Sequence, residues 1–161
     1  MRALAAHRVR FVVIGGYAAV LHGVAMMTYD ADIAPDPEPA NLRRLCVALD
    51  EVGARLRAPG EPEGVEFRCD EHFLGRMSML NLVTGHGDFD LSFHPAGFPG
   101  GYRDLTDRAS MMDIGGFSVE VAALDDIIES KEVANRDKDH VSLPQLYALR
   151  DEIARRDMTT G

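Results

Sequence analysis

The stretch FVVIGGYAAVLHGVAMMTYDADI, residues 11–33, constrains the chain more than any other. Phe11 to Ile14 is a continuous apolar run of the kind that forms a strand covered on both faces. Gly15 and Gly16 then let the backbone turn sharply into Tyr17, Ala18, Ala19, Val20 and Leu21, a short helix. A second strand carries Asp30-Ala31-Asp32, fourteen residues beyond Gly16. Side chains at i and i+2 of a strand point to one face, so Asp30 and Asp32 present two hard oxygen ligands side by side. A helix start preceded by glycine offers unpaired N–H groups and a positive dipole end to an anion. Gly-Gly alone is weak evidence, and Asp-x-Asp alone also fits a turn or a strand edge. Their spacing on adjacent elements predicts a small cleft where a divalent metal ion and a phosphate meet.

Gly15-Gly16, Ala18, His22-Gly23, Thr28, Asp30 and Asp32 together resemble the signature of the DNA-polymerase-beta-type minimal nucleotidyltransferases. They are most similar to the Gly-Gly branch related to AbiE-type toxins. The resemblance implies an α/β (α+β) nucleotidyltransferase fold, a twisted mixed sheet flanked by helices, with three carboxylates holding two magnesium ions; manganese is a possible substitute. The third carboxylate belongs on a neighbouring strand, and TGHGDFDLSFHPAGFPGGY supplies Asp90, with Asp88 as the alternative on the same face. A polar hairpin tip at Gly85 to Asp88 accounts for Asp88 more readily than for Asp90, which sits between Phe89 and Leu91.

The segment LDDIIESKEVANRDKDH resembles the family's closing segment, a helix with a lysine followed by an Arg-x-Lys-Asp string, here Lys131, Arg136, Lys138 and Asp139. Helical spacing speaks separately, because Leu124, Ile127 and Ile128 form an apolar stripe on which Lys131 also falls. A lysine there either snorkels to water or meets an anion. The resemblance implies that Gly15 and Gly16 approach the phosphates through their backbone, and that Lys131 neutralises charge. It further implies that Thr28, Arg136 and Lys138 bind nucleotide, and that Asp139 positions the acceptor or acts as a base. Three departures stand out: Met26 where relatives commonly carry an arginine, Asn135 and Asp137 for a usual glycine and proline, and Gly16 for the serine of the Gly-Ser branch.

The expected activity is transfer of a nucleoside monophosphate from a nucleoside triphosphate to a hydroxyl acceptor, with release of pyrophosphate. A tRNA end, a protein or a small aminoglycoside-like molecule are the acceptors the family suggests. The toxin of a toxin–antitoxin pair, with a cognate partner, is the most concrete version. Two other classes stay open: a nucleotide-binding module that has lost turnover, and an antitoxin or regulator that meets its partner through an acidic surface.

With 161 residues and 46% hydrophobic content, the chain is expected to form one domain over 1–161 with a single core. Net charge −9 argues against a surface that grips nucleic acid throughout. Arg43-Arg44, Arg55/Arg57 and Arg155-Arg156 read most simply as solvated faces. No apolar run reaches the length of a membrane span and Met1 to Arg10 lacks the apolar region of a secretory signal, so a cytoplasmic location is expected. Cys46 and Cys69 lack metal spacing and read as two reduced residues, Cys46 packing on a helical face with Leu42, Leu45, Leu49 and Val52.

Asp36 and Pro37 predict an N-cap and a first-turn proline for a helix running to about Gly53. Residues 57–64 read as a loop. Strands are expected at Val65–Cys69, Ser78–Thr84 and Asp88–Phe93, and a hairpin at Ser110–Ile114 and Phe117–Val121. Ser142 with Gln145 reads as a capping box opening a final helix, and helices over about 123–157 are expected to pack on the sheet. Residues 94–102 fit either a lid over nucleotide or a plain connection. His22 and His94 are expected to be polar wall or packing residues, and the eight methionines mostly core filler.

Overall fold

The computed structural model describes residues 1–160, the side chain of residue 160 apart. In chain order the elements are α1 (Arg2–Ala6), β1 (Phe11–Ile14), α2 (Gly15–Leu21), β2 (Asp30–Pro35), α3 (Pro39–Glu51), β3 (Arg55–Ala58) and β4 (Glu61–Val65). Then come α4 (Glu71–Leu74), β5 (Met79–Thr84), β6 (Gly87–Ser92), α5 (Tyr102–Thr106), β7 (Ser110–Asp113), β8 (Ser118–Val121), α6 (Leu124–Ala134) and α7 (Asp137–Thr160). The strands make one sheet of eight in the order β4-β3-β5-β6-β2-β1-β8-β7. Strands β2 and β6 run parallel, as do β1 and β8, and the other neighbours are antiparallel. This is the mixed sheet with flanking helices expected from the sequence.

Burial follows the apolar runs. Val12 and Val13 of β1, Ile33 and Ala34 of β2 and Leu91 of β6 are fully buried. Leu42, Leu45 and Leu49 bring α3 onto the same core, and Ile127 and Ile128 bring α6. At the end of the β1–β2 pair away from Asp30 and Asp32, buried Asn41 ties three segments together: its Oδ1 accepts from the Arg10 N–H at 2.8 Å, and its amide donates to the Arg10 and Asp36 carbonyls at 2.9 Å each. A buried amide with its valences met in this way fixes where β1 starts and β2 ends.

Several local expectations are corrected. The N-cap of α3 is Glu38, whose carboxylate accepts from Ala40 N and Asn41 N, and the first-turn proline is Pro39; Asp36 instead accepts from Glu38 N at 3.0 Å. Residues 57–64 belong to a hairpin of β3 and β4, while the strand expected over Val65–Cys69 extends no further than Val65. Pro62 and Gly60 signalled a loop, but β4 is an edge strand, where a proline need not donate to a partner. No capping box opens the last helix: α7 begins at Asp137, just after Asn135 closes α6 in a left-handed conformation, and Ser142 lies inside it. The Ser142 hydroxyl bonds back to the Asp139 and Lys138 carbonyls at 3.2 and 3.3 Å.

The reading of two reduced cysteines is also corrected, since Cys46 and Cys69 form a disulfide with their Cα atoms 5.4 Å apart. Cys46 sits on the buried face of α3 as expected, and the turn entering α4 brings Cys69 to it. Twenty-three residues separate the two, and no local pattern announces a bridge across that distance.

Candidate active site

The site lies where the ends of β1, β2 and β6 meet the start of α2. Ile14 of β1 pairs with Asp32 of β2, and Asp30 and Asp32 pair with Asp88 and Asp90 of β6. Parallel register therefore sets four carboxylates in a block on one face. Asp30, Asp32 and Asp90 each contribute one oxygen to a cluster whose members all lie within 4.8 Å of one another.

Gly15 makes this approach possible. Its φ is +67°, and a Cβ there would stand 2.3 Å from Asp32 Oδ2. Only glycine tolerates both the backbone and the contact. Thr28 Oγ1 lies 3.0 Å from Asp30 Oδ1 and 3.1 Å from the Asp30 carbonyl, and so orients the first carboxylate. A Cβ on Gly16 would meet the same hydroxyl at 3.0 Å, so Gly15, Gly16 and Thr28 form a tight floor beneath the aspartates.

Burial pushes the Asp32 carboxyl up to about 6, with Asp30 and Asp90 adding repulsion and Lys138 and Arg136 partly offsetting it. A carboxyl raised by burial and by two neighbouring carboxylates is short of positive charge nearby. Three hard oxygen donors with that deficit suit Mg²⁺ or Mn²⁺.

A cleft of about 830 Å³ opens from this end and is lined by Asp30, Asp32, Lys131, Arg136 and Lys138 among others. Lys131 is buried, and its Nζ donates to Asp139 Oδ1 at 3.1 Å, so the stripe lysine has met an anion. Asp139 is fully buried and also accepts from Arg136 Nε at 2.7 Å and Arg136 N at 3.2 Å. Burial works to raise the Asp139 carboxyl, but the hydrogen bonds from Arg136 and Lys131 outweigh it and hold the group below its ordinary value. The carboxylate thus anchors two cations, and both line the cleft.

Of the residues named from the sequence, Gly15, Gly16, Thr28, Asp30, Asp32 and Asp90 come together at one end of the cleft. Lys131, Arg136 and Lys138 line its wall, and Asp139 stands behind them. Asp88 lines the cleft without joining the three-carboxylate cluster. From the segment 94–102, His94, Pro95, Ala96 and Phe98 also line it, yet the segment is tied down: Phe98 is buried, His94 Nδ1 lies 2.8 Å from the Pro99 carbonyl, and a Cβ on Gly101 would strike the Phe93 carbonyl at 2.0 Å. His22 Nε2 is 2.8 Å from the Ala122 carbonyl, a packing role.

Two residues escaped sequence reasoning. Arg57, read as part of a solvated patch, reaches from β3 across β5 to Asp88 and Asp90. Asp126 lies buried against the cleft with neither oxygen hydrogen-bonded, although Arg108 Nη2 stands 2.6 Å from Oδ1. Burial pushes its carboxyl up against the pull of Arg108. No sequence signal singles out Arg57, and helical spacing sets Asp126 off the Leu124, Ile127 and Ile128 stripe, so its burial was not legible either.

No protein-family model matches the chain, and no curated protein matches it. Solved structures do. The lincosamide antibiotic adenylyltransferase LnuA, crystallised with lincomycin, superposes with a TM-score of 0.58 at 15% identity over 91% of this chain and 90% of its own. A putative nucleotidyltransferase from Thermotoga maritima gives 0.55 at 16% identity, covering 91% and 87%. The antibiotic-resistance factor ANT(2'')-Ia, in complex with adenylyl-2''-tobramycin, gives 0.54 at 16% over 96% and 92%. With nearly full coverage on both sides, the chain has the fold of these nucleotidyltransferases.

Proposed function

We propose that this protein is a metal-dependent nucleotidyltransferase that moves a nucleoside monophosphate from a nucleoside triphosphate to a hydroxyl acceptor and releases pyrophosphate. The observation that carries the reading is the convergence of Asp30, Asp32 and Asp90 within 4.8 Å at the end of a cleft walled by Lys131, Arg136 and Lys138. Asp30 and Asp32 would hold two Mg²⁺ ions, or Mn²⁺ in their place, with Asp90 completing one of the two sites. When bound, such ions supply Lewis-acid neutralisation of the phosphates and lower the pKa of the acceptor hydroxyl.

The chain's own residues do the rest. Gly15 and Gly16 leave the aspartates room and present backbone to the phosphates, and Thr28 fixes the Asp30 carboxylate. Lys131, Arg136 and Lys138 bind the triphosphate and take up charge that grows on the leaving pyrophosphate. Asp139 holds Lys131 and Arg136 in place from behind, a positioning role, because its oxygens are already occupied by them.

A small molecule is the acceptor that the cleft supports best: about 830 Å³ falls within the range of small-ligand pockets. The solved neighbours carry lincomycin and an adenylylated tobramycin, which favours the same class. A tRNA or protein acceptor, and a toxin role with a cognate antitoxin, rest on the Gly-Gly resemblance alone. No helix among the described residues is long and apolar enough to cross a membrane. The cytoplasmic location stays part of the proposal, although a Cys46–Cys69 bridge is commoner in oxidising compartments.

The test is calorimetry with each nucleoside triphosphate, with and without Mg²⁺, followed by pyrophosphate release in the presence of lincosamide and aminoglycoside acceptors. Mg²⁺-dependent binding that Asp30→Asn abolishes is the expected result, and tight binding without metal contradicts the reading. Met26 and the Asn135 to Asp137 string favour a second reading, a binding module without turnover. Metal-dependent nucleotide binding with no pyrophosphate release from any acceptor selects it.

A further inference from the structure

Arg57 makes a two-pronged contact that the proposed chemistry leaves unexplained. Its Nη1 donates to Asp88 Oδ2 at 2.5 Å and its Nη2 to Asp90 Oδ1 at 2.6 Å, one guanidinium spanning two carboxylates two residues apart on β6. Asp90 is a member of the three-carboxylate cluster, and Asp88 is not. The Arg57 side chain is only partly exposed, and although that partial burial works against its charge, Asp90 and Asp88 hold it firmly protonated. A fork of this kind is rigid and charge-assisted, so it sets carboxylate geometry as well as charge.

Four carboxylates in register on two adjacent strands repel one another strongly at this burial. Arg136 and Lys138 approach the block from the helical wall, and Arg57 is the cation on the opposite, β6 side. We propose that Arg57 is the resident counter-ion of this block. A divalent ion entering the Asp30, Asp32 and Asp90 cluster displaces it from Asp90, and Asp88 is the partner that retains it. The inference rests on the reading of that cluster as a metal centre. It gives Asp88 a role distinct from ligation, as the berth that keeps the displaced arginine beside the site.

A consequence follows for the order of binding. An ion bound to the same carboxylate as the guanidinium is opposed by it, so metal alone binds weakly. A triphosphate brings negative charge that cancels this opposition. Metal and nucleotide then strengthen each other's binding by one shared factor, as linkage requires, and Arg57 sets part of that factor. Free metal would load the site poorly until a nucleotide arrives with it.

The experiment titrates Mn²⁺ into the full chain, read by loss of the free-ion paramagnetic resonance signal, with and without a non-hydrolysable ATP analogue. Wild type is compared with Arg57→Gln and Arg57→Lys. Without nucleotide, Arg57→Gln is expected to bind Mn²⁺ about tenfold tighter, the scale of losing one close like charge, while Arg57→Lys stays within about threefold of wild type. The gain in Mn²⁺ affinity that the analogue confers shrinks in Arg57→Gln by the same factor. Unchanged or weaker Mn²⁺ binding in Arg57→Gln overturns the proposal, as does equal tightening in both variants. If wild type binds Mn²⁺ through Asp30 and Asp32 but Arg57→Gln changes nothing, this inference alone falls. If no form binds Mn²⁺, the metal-centre reading falls with it. Should Arg57→Gln not fold, Asp88→Asn serves instead: with its berth gone the guanidinium rests on Asp90 alone, and Mn²⁺ binding should weaken several-fold; unchanged affinity overturns the proposal.

Discussion

Replacing Asp32 by asparagine should make the metal-free protein more stable and the metal-loaded protein less so. Asp32 is enclosed by Gly15, Asp30 and Asp90, and burial with those neighbours lifts its carboxyl from 3.8 to about 6. A displacement of roughly two pH units corresponds to about 3 kcal/mol of penalty for the ionised form in the folded state. The site is reached by solvent, which screens part of this, so about 2 kcal/mol is the expected gain for Asp32→Asn. The sign is set by the direction of the shift: a raised carboxyl stabilises the fold relative to its ionised form below its unfolded value, and that advantage is lost as pH rises through about 6. The two proteins should therefore match near pH 3.5, diverge between about pH 4 and 6, and differ fully at pH 8. Urea denaturation in EDTA across this range measures it. With saturating Mg²⁺ and a non-hydrolysable ATP analogue the order should reverse, because only wild type gains the full binding energy of the loaded site in the folded state. An Asp32→Asn protein less stable than wild type at pH 8 in EDTA, or a difference that does not change with pH, would refute the electrostatic account of this cluster.

Lys131→Met leaves buried Asp139 with Arg136 as its remaining cation, so thermal denaturation should show a loss of about 2 kcal/mol, contrary to the gain expected from an apolar stripe alone. The same variant should weaken nucleotide binding in calorimetry through the lost charge on the cleft wall. Reducing the Cys46–Cys69 bridge, or replacing both residues by alanine, should cost about 3 kcal/mol in urea titrations, the scale for a closed loop of this size; unaltered stability with titratable thiols in the native protein would remove the bridge. Met26→Arg restores a cation to the lining of the cleft and should speed pyrophosphate release by roughly tenfold or more, provided that circular dichroism shows the variant folded.

What was legible in the sequence was local or carried by short spacing. The Phe11 to Ile14 run, the glycine pair and the Asp-x-Asp strand encode β1, α2 and β2 because period and turn chemistry act over a few residues. Asp90 was legible because it alternates with Phe89 and Leu91, whose burial fixes the face it occupies. Lys131 was legible as an anomaly on an apolar stripe, although nothing in helical spacing could name Asp139 as the anion behind it. Arg57 and the Cys46–Cys69 bridge were not legible for a shared reason. Both depend on which strands and helices become neighbours, and β3 lies beside β5 only because the hairpin to β4 takes the sheet's edge. That hairpin was itself hidden, since Pro62 and Gly60 obey loop statistics wherever an edge strand permits them. The shifted N-cap at Glu38 is a smaller case: Asp36-Pro37 and Glu38-Pro39 offer the same chemistry two residues apart, and the tie from Asn41 to Arg10 and Asp36 goes with the later start.

The most direct test of the central claim is crystallographic: the protein grown with Mn²⁺ and a non-hydrolysable nucleoside triphosphate analogue, with data collected at the manganese absorption edge. The account predicts anomalous density bounded by the carboxylates of Asp30, Asp32 and Asp90, with the triphosphate running from it toward Lys131, Arg136 and Lys138. Manganese bound elsewhere, or a nucleotide seated in the cleft with no metal against those three carboxylates, contradicts it.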